Sequence, residues 1–247
     1  MKYLLYCIFA DEKSSPAVHL AGVDGQPIVV VSHSGLSASV SPCLHPSLTP
    51  DITRIQAYQR IIERFNHHRT IIPMRYGCLF PNREEVGLHL GQRAHYYLSL
   101  LGELKGSVEM GIRVMMSEGR LPLEELERKR EAHPMSNTQS PLSGKQYLTA
   151  RKAHYSREDR NLTEIEHIIA QTHTAFSGLY VRFKSECGTT EVSALGNRVL
   201  SLYFLVLRDS VESFRQAFRR VSKRGPHKLL LSGPWPPYNF VTPERTR

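Results

Sequence analysis

The feature that constrains the fold of this chain most strongly is the stretch from Asn197 to Leu207, NRVLSLYFLVL. In an extended strand its apolar side chains alternate onto two faces: Val199, Tyr203, Leu205 and Leu207 lie on one face, and Leu200, Leu202, Phe204 and Val206 on the other. A strand that is apolar on both faces is typical of the centre of a sheet that is covered on both sides. The sequence therefore predicts a buried central strand, and neighbouring segments must supply both covers.

The segments around this strand follow a β-α-β-β-α-β order, which predicts a split βαβ or ferredoxin-like domain. The predicted elements are a strand Ser107–Met116, a helix Lys145–Phe176, a strand Tyr180–Glu186, the central strand, a helix from Val211 to Val221 and a strand His227–Leu231. An insertion at residues 117–144 separates the first strand from the first helix. The two helices cover one face of the sheet, so the other face needs the first domain, the insertion, a second copy or a partner.

The first half of the chain reads as a separate α+β unit. Strands are predicted at Lys2–Phe9 and Pro27–Ser32, and Thr70–Phe80 is an edge or bulged strand because Pro73 interrupts it. A helix begins after Thr49 or Asp51 and ends near His67-His68-Arg69, and its apolar positions are Ile52, Ile55, Ile62 and Phe65. One long helix follows Asn82, with a buried stripe of Val86, Leu90, Tyr97, Leu101 and Leu104. We therefore predict an α+β protein of two domains, residues 1–105 and 106–247, with a proline and aromatic-rich tail at residues 232–247.

Charge narrows the range of partners only slightly. Thirty-two Lys and Arg against 23 Asp and Glu give a net charge of +9, which suits a nucleic acid, an anionic lipid or an acidic protein. An RNA-binding ferredoxin-like protein is therefore the alternative function. RNA-recognition modules carry K/R-G-F/Y-G/A-F-V-x-F/Y on a central strand, and neither SVEMGIRVMM nor NRVLSLYFLVL matches it, so we expect no nucleic acid partner. Met1–Ala10 is apolar but too short to span a bilayer, and we expect no membrane contact and a cytoplasmic location.

The residues indicate no enzyme, cofactor site or metal site. No phosphate loop is present, no G-x-G-x-x-G follows a predicted strand, and the motifs H-E-x-x-H and G-x-S-x-G are absent. The four cysteines form no C-x-x-C pair, and the 12 histidines show no metal-binding spacing. Glu109 and Arg113 share one face of a predicted strand, and we expect each to pair across the sheet with a neighbour such as Arg182 or Lys184.

Three short motifs carry a resemblance to a known family. Ile72–Gly77 (IPMRYG), Gly106–Gly111 (GSVEMG) and Ser232–Val241 (SGPWPPYNFV) resemble the P-x-R-F/Y-G, G-x-V-E-x-G and GPWPPY-x-F motifs of the gas vesicle protein F and L family, in the same order and at similar spacing. With the Tyr3–Tyr6 opening, YLLY, the resemblance covers nearly the whole chain. The residues that it marks as a structural motif or a partner contact are Pro73, Arg75, Tyr76, Gly77, Glu109, Gly233, Pro234, Trp235, Pro236, Pro237 and Tyr238.

The resemblance implies an accessory protein of gas vesicle assembly that is a minor component of the vesicle. It implies the small, very hydrophobic major shell protein A as partner, together with other accessory gas vesicle proteins, and a location in the cytoplasm at the gas vesicle. It carries over no catalytic residue. We expect the protein to bind the shell subunit and to limit its aggregation during nucleation or growth of the vesicle.

The C-terminal tail has two interpretations. Prolines stiffen the chain after Gly233, so the tail is either a clamp that holds Trp235 and Tyr238 in a groove of the protein itself, or a rigid aromatic anchor for a partner. We predict the clamp, in which Trp235 is largely buried. The anchor requires instead an exposed Trp235 whose replacement leaves the thermal stability nearly unchanged.

Overall fold

Two antiparallel sheets, each with helices packed against it, make up the computed structural model of this chain. The structure describes residues 1–11, 20–44, 49–116, 162–189, 198–223 and 227–241. The predicted insertion at residues 117–144 lies outside the described residues, as does the predicted start of the following helix at Lys145. The mixed helix and strand composition with antiparallel sheets agrees with the predicted class.

The first sheet is built from five strands of the N-terminal half. They are β1 (Lys2–Ala10), β2 (Val29–His33), β3 (Leu36–Cys43), β4 (Ile72–Pro73) and β5 (Leu79–Phe80). The spatial order is β2-β3-β1-β4, and β5 also pairs with β1. The central strand β1 is buried along seven consecutive residues, so both faces of this sheet are covered.

Helices cover the two faces of the first sheet. Helix α1 (Ile52–His68) packs on one face, where its residues Tyr58, Ile61, Ile62 and Phe65 join a core cluster with the β1 residues Leu4, Tyr6, Cys7 and Phe9. Helices α2 (Arg83–Gln92) and α3 (Ala94–Glu103) pack on the other face around Leu5 and Ile8. The Asp51 side chain accepts a hydrogen bond from the Arg54 N–H, which confirms Asp51 as the N-cap of α1.

The second sheet has the order β7-β8-β6-β9. Its strands are β6 (Ser107–Met116), β7 (Arg182–Thr189), β8 (Arg198–Leu207) and β9 (Lys228–Trp235), and all adjacent pairs are antiparallel. Helix α4, described over residues 162–175, precedes β7, and helix α5 (Val211–Ser222) lies between β8 and β9. The inner faces of the strands and both helices meet in one cluster that includes Phe176, Phe204 and Phe214.

The outer face of β8 is covered in part by the first half of the chain. Leu205 is fully buried and belongs to the same cluster as Leu5, Leu101 and Phe240, whereas Leu207 on that face is exposed. The sequence analysis allows the first domain, the insertion, a second copy or a partner to cover this face. In the structure, the first half of the chain and the C-terminal residue Phe240 cover the part around Leu205. Polar contacts hold the same junction: Arg182 pairs with Glu103 at 3.0 Å.

Three predictions about the first half are wrong in detail. Strand β3 is missed because three of the eight residues in its sequence, LSASVSPC, are serine and one is proline, and both residue types are common in turns and loops. The helix after Asn82 is two helices, since the backbone of Arg93 leaves the helical region between α2 and α3, although the predicted stripe is buried across the break. Ile52 and Ile55 are exposed, because the buried face of α1 is centred on Tyr58 and Ile62.

Candidate functional site

The three sequence motifs meet at the junction of the two sheets. Strand β4 ends at Pro73, the loop between β4 and β5 carries Arg75, Tyr76 and Gly77, strand β6 carries Glu109, and the chain after β9 returns between them. We call residues 236–241, which follow β9, the C-terminal segment. Its Tyr238 packs in the cluster beneath α1, and its Phe240 packs in the cluster beneath α2 and α3. The segment therefore contributes to the cores on both faces of the first sheet.

The first motif is held by a tyrosine of α1. The Tyr58 hydroxyl lies within hydrogen-bonding distance of the carbonyl oxygens of Leu5 at 2.8 Å, Met74 at 3.0 Å and Arg75 at 3.1 Å. The ring of Tyr76 contacts the ring of Tyr58 edge-on, with centroids 5.3 Å apart. Burial raises the pKa of Tyr58, so the hydroxyl keeps its proton and acts as a donor. The loop is thus fixed to the central strand by one buried phenol.

Glu109 of the second motif is bound by the C-terminal segment. Glu109 is buried, with only 5% of its surface exposed. The backbone N–H of Asn239 donates to Glu109 Oε2 at 2.8 Å, and Asn239 Nδ2 donates to Oε1 at 2.6 Å. Burial raises the pKa of the Glu109 carboxyl, and the two hydrogen bonds from Asn239 oppose that rise. The sequence predicted a cross-strand partner such as Arg182 or Lys184, but both carboxylate oxygens are bound by Asn239, and Arg182 pairs with Glu103.

Gly233 of the third motif is required by the close approach of two strands. Its φ is +105°, a backbone conformation that suits glycine. A Cβ atom at this position would lie 2.7 Å from the backbone oxygen of Glu109 and 3.2 Å from Met110 Sδ. The peptide bond from Gly233 to Pro234 is cis. The register of the β6–β9 pairing shifts here: Gly111 pairs with Ser232, whereas Glu109 pairs with Trp235.

The prediction that Trp235 is largely buried is wrong. Trp235 is 38% exposed. It is the last residue of the edge strand β9 and pairs with Glu109, which puts its side chain on the outer face at the rim of the second sheet. The clamp that the sequence predicted is made by other residues of the tail: Pro236, Pro237 and Phe240 are buried, and Tyr238 is half-buried.

A groove of about 730 Å³ lies beside the C-terminal segment. It separates the first motif from the start of α3, and Tyr238, Asn239 and Val241 form one of its walls. Its other lining residues are Ile72, Pro73, Met74, Arg75, Cys78, Arg93, Tyr96 and Tyr97. The Tyr96 hydroxyl donates to the carbonyl oxygen of Val241 at 3.2 Å, and Tyr97 is hydrogen-bonded to His89 at 2.8 Å. We call this cavity the motif groove.

A smaller cavity of about 280 Å³ lies on the other side of the C-terminal segment. Glu109, Arg113, Trp235 and Tyr238 are among its lining residues. Although Glu109 and Arg113 both face this cavity, the Glu109 oxygens are already hydrogen-bonded to Asn239. Across the described ranges, no group of three or more His, Cys, Asp or Glu is placed to hold a metal ion. In the same ranges, no helix is long and apolar enough to cross a membrane.

Comparisons with known proteins fit this arrangement. The family model described as gas vesicle synthesis protein GvpL/GvpF matches residues 2–242, which include all three motifs. The chain belongs to the GvpL/GvpF family. Among relatives, gas vesicle protein F of a Streptomyces species is 24% identical over 222 residues, covering 87% of this chain and 88% of the relative. Gas vesicle protein F2 of Halobacterium salinarum is 22% identical over 237 residues, covering 94% and 88%.

Solved structures of GvpF share the fold of this GvpL/GvpF chain. The crystal structure of GvpF from an Anabaena species has a TM-score of 0.75 at 18% identity, covering 98% of this chain and 96% of that one. GvpF from Microcystis aeruginosa has a TM-score of 0.73 at 16% identity, covering 98% and 99%. The arrangement of the two sheets is therefore similar to that of known gas vesicle proteins at low sequence identity.

Sequence reasoning missed several residues that build the site of this GvpL/GvpF chain. Asn239 lies within the quoted tail motif, but the motif gives that position no fixed residue type. Tyr58 is an ordinary buried position of an amphipathic helix, and only the fold brings it to the Met74 and Arg75 carbonyls. Arg93 and Tyr96 fall at the helix break, which the sequence did not predict. The signal that could have indicated Asn239 is a polar residue between two aromatic residues, Tyr238 and Phe240, in a stiff tail.

Proposed function

We propose that this protein is a non-enzymatic accessory and minor structural protein of gas vesicle assembly. In this proposal it binds the hydrophobic major shell protein A, limits its aggregation during nucleation or growth of the vesicle, and contacts other accessory gas vesicle proteins. It acts in the cytoplasm at the gas vesicle. The observation that carries the proposal is the family match over residues 2–242. The Glu109 carboxylate is engaged by Asn239, which favours a structural role for this residue over a catalytic one.

The exposed aromatic of the tail is the contact that we assign to the shell subunit. Trp235 and Leu230 lie on the outer face of β9, and both expose more than a third of their surface, 38% and 47%. Tryptophan is enriched among residues that dominate binding energy, and exposed apolar neighbours on a sheet edge favour an apolar partner. Because β9 is an edge strand of the second sheet, its outer hydrogen-bonding edge pairs with no other described strand.

The remaining motif residues are proposed to hold this face in place. Pro73 ends β4, Arg75, Tyr76 and Gly77 form the loop that follows it beside the C-terminal segment, and Glu109 binds that segment through Asn239. Gly233, Pro234, Pro236, Pro237 and Tyr238 set its path. In this proposal the clamp interpretation describes the C-terminal segment, which packs against the protein itself. The anchor interpretation describes Trp235, which is exposed to a partner.

The domain division is part of the same proposal. Residues 1–105 and 106–247 are proposed as two domains, the second a ferredoxin-like split βαβ unit. The strand order β7-β8-β6-β9, with helices before β7 and between β8 and β9, supports this assignment. The shared cluster around Leu205 and Phe240 favours a fixed orientation of the two units.

Mixing with purified shell subunit tests the proposal. We expect the protein to co-purify with the subunit and to delay its aggregation, followed by light scattering. Trp235→Ala is expected to weaken both effects, and Ile52→Ala, which removes an exposed apolar side chain on α1, is the matched control that leaves them unchanged. Absence of co-purification together with unchanged aggregation would contradict the proposed function. Equal effects of the two substitutions would contradict the assignment of Trp235.

A further inference from the structure

The motif groove has a floor and walls suited to apolar side chains. Ile72 and Pro73 are buried, Met74 and Val241 are half-buried, and the ring of Tyr96 is 40% exposed. Its volume of about 730 Å³ lies in the range of about 300–1,000 Å³ that is typical of ligand sites. Tyrosine offers a large rigid contact surface at low entropic cost, which is why it is common in binding sites. The groove is therefore large enough for a short stretch of a partner chain.

Two cations line the same groove without an acidic counterpart. Arg75 and Arg93 are both exposed, and the lining includes no Asp or Glu. Neither guanidinium forms an ion pair within the part of the chain that the structure describes. Arg75 comes from the loop of the first motif and Arg93 from the break between α2 and α3, so the fold brings together charges 18 positions apart in the sequence. Arg93 also interacts with the Tyr97 hydroxyl, but neither arginine has a carboxylate partner among the described residues, so both can meet an anionic group that enters the groove.

We propose that the motif groove binds a segment of a partner protein in which acidic side chains lie next to apolar ones. Guanidinium groups bind carboxylates through paired, charge-assisted hydrogen bonds, while the Ile72, Pro73 and Val241 surface takes the flanking apolar side chains. A single-stranded nucleic acid would need a run of cations that follows its backbone, and two arginines at one groove do not provide it. The occupant is therefore an acidic, apolar peptide segment.

This inference goes beyond the proposed function, which assigns the shell contact to Trp235 on a different face. It holds whichever protein supplies the segment. The two proposals can also fail separately. A groove that binds no peptide would contradict this inference but not the shell contact at Trp235. Absence of co-purification with the shell subunit would contradict the proposed function but not peptide binding in the groove.

Fluorescence anisotropy with defined peptides tests the inference on the full chain. The probe is a short labelled peptide, amidated at its C-terminus, in which two glutamates are flanked by leucines. Matched peptides carry glutamine in place of glutamate, or serine in place of leucine, and a labelled oligouridine replaces the peptide in a further arm. The protein variant is Arg75→Gln with Arg93→Gln, and the control is Arg60→Gln with Arg64→Gln, which removes the same charge from exposed positions of α1 that form no ion pair with any described residue.

The expected result is saturable binding of the glutamate-leucine peptide and affinity at least about tenfold lower for each matched peptide, because each of these peptides loses at least one charge-assisted or one apolar contact. The groove variant should lose about tenfold for the glutamate peptide and bind the glutamine peptide as before, while the control variant retains the original affinity. Far-UV circular dichroism checks that all variants are folded. Lack of peptide binding, equal losses in groove and control variants, or tighter binding of oligouridine that the groove variant abolishes would each overturn the inference.

Discussion

Replacement of Glu109 tests whether the C-terminal segment is held by a buried carboxylate. In Glu109→Ala, the backbone N–H and the side-chain amide of Asn239 both lose their acceptor at a site where Glu109 itself is 5% exposed. An unsatisfied buried donor costs about 1–3 kcal/mol, so we expect a loss of roughly 2–4 kcal/mol in the free energy of unfolding. Glu109→Gln is expected to cost less than about 1 kcal/mol. The reason is that the side-chain amide of Asn239 can rotate. The glutamine carbonyl oxygen then accepts from the backbone N–H of Asn239, and the glutamine NH2 group donates to Asn239 Oδ1.

The dependence on pH has a definite sign. Burial raises the pKa of Glu109 in the folded protein above its value in the unfolded chain. The resulting contribution to stability is fully present below the unfolded pKa of about 4.3, and it is lost as the pH rises through the folded pKa. Because Glu109→Gln removes this titration, the stability of the unmodified protein should fall relative to that variant as the pH rises above about 4.3 and through the folded pKa of Glu109.

The fluorescence of Trp235 allows unfolding to be followed near Glu109. Trp235 is the only tryptophan of the chain and pairs with Glu109 in the β6–β9 ladder. Urea unfolding followed by its fluorescence therefore reports on the C-terminal segment, while far-UV circular dichroism reports on the whole fold. Glu212→Ala, at an exposed glutamate of α5, is the control and should stay within about 0.5 kcal/mol. The reasoning is refuted if Glu109→Ala is as mild as Glu212→Ala, or if the glutamine and alanine variants are equally unstable.

Three further sets of substitutions test the packing around the site by thermal unfolding. Phe240→Ala should cost about 3–5 kcal/mol because its ring is fully buried, whereas Trp235→Ala should cost less, since 38% of its surface is already exposed in the folded protein; the opposite order would contradict the exposed position of Trp235. Gly233→Ala should destabilise more than Gly25→Ala, since both have positive φ but only the first brings Cβ against backbone; equal costs would mean that the close approach does not matter. Tyr58→Phe should cost about 1–2 kcal/mol through the lost hydroxyl donor, and an unchanged melting temperature would show that the loop needs no such anchor.

Strand β6, whose alternate residues are large and apolar, was predictable from the sequence, whereas β3 was not. The predicted strand Ser107–Met116 has the bounds of β6, because every second residue from Val108 to Met116 is apolar and buried. Strand β3 instead buries Ser37, Ser39 and Ser41 on the face opposite its apolar residues. Serine is usually read as a turn or loop residue. Its burial here depends on partners such as the Tyr6 hydroxyl, 2.8 Å from Ser41 Oγ, which lie on another strand.

The motifs of the site were recognisable, but their contacts were not. Glu109 and Asn239 are 130 residues apart, and no local pattern links them. The same limit explains the error at Trp235. Stiff prolines and bulky aromatics correctly indicated an ordered tail, yet which aromatic is buried depends on where β9 ends. Because the strand continues through Trp235, its side chain faces outward, and the chain turns into the core only at Pro236 and Pro237.

The C-terminal segment also links the two surfaces that we propose for binding. Tyr238 and Asn239 line the motif groove on one side and the cavity beside Trp235 on the other. The only polar contact of Asn239 within the described residues is with Glu109, so release of that contact should disturb both surfaces together. We therefore expect Glu109→Ala to weaken binding of the acidic peptide and association with the shell subunit in parallel, while Glu109→Gln preserves both. Loss of one activity without the other in Glu109→Ala would show that the segment does not act as a single support for the two surfaces.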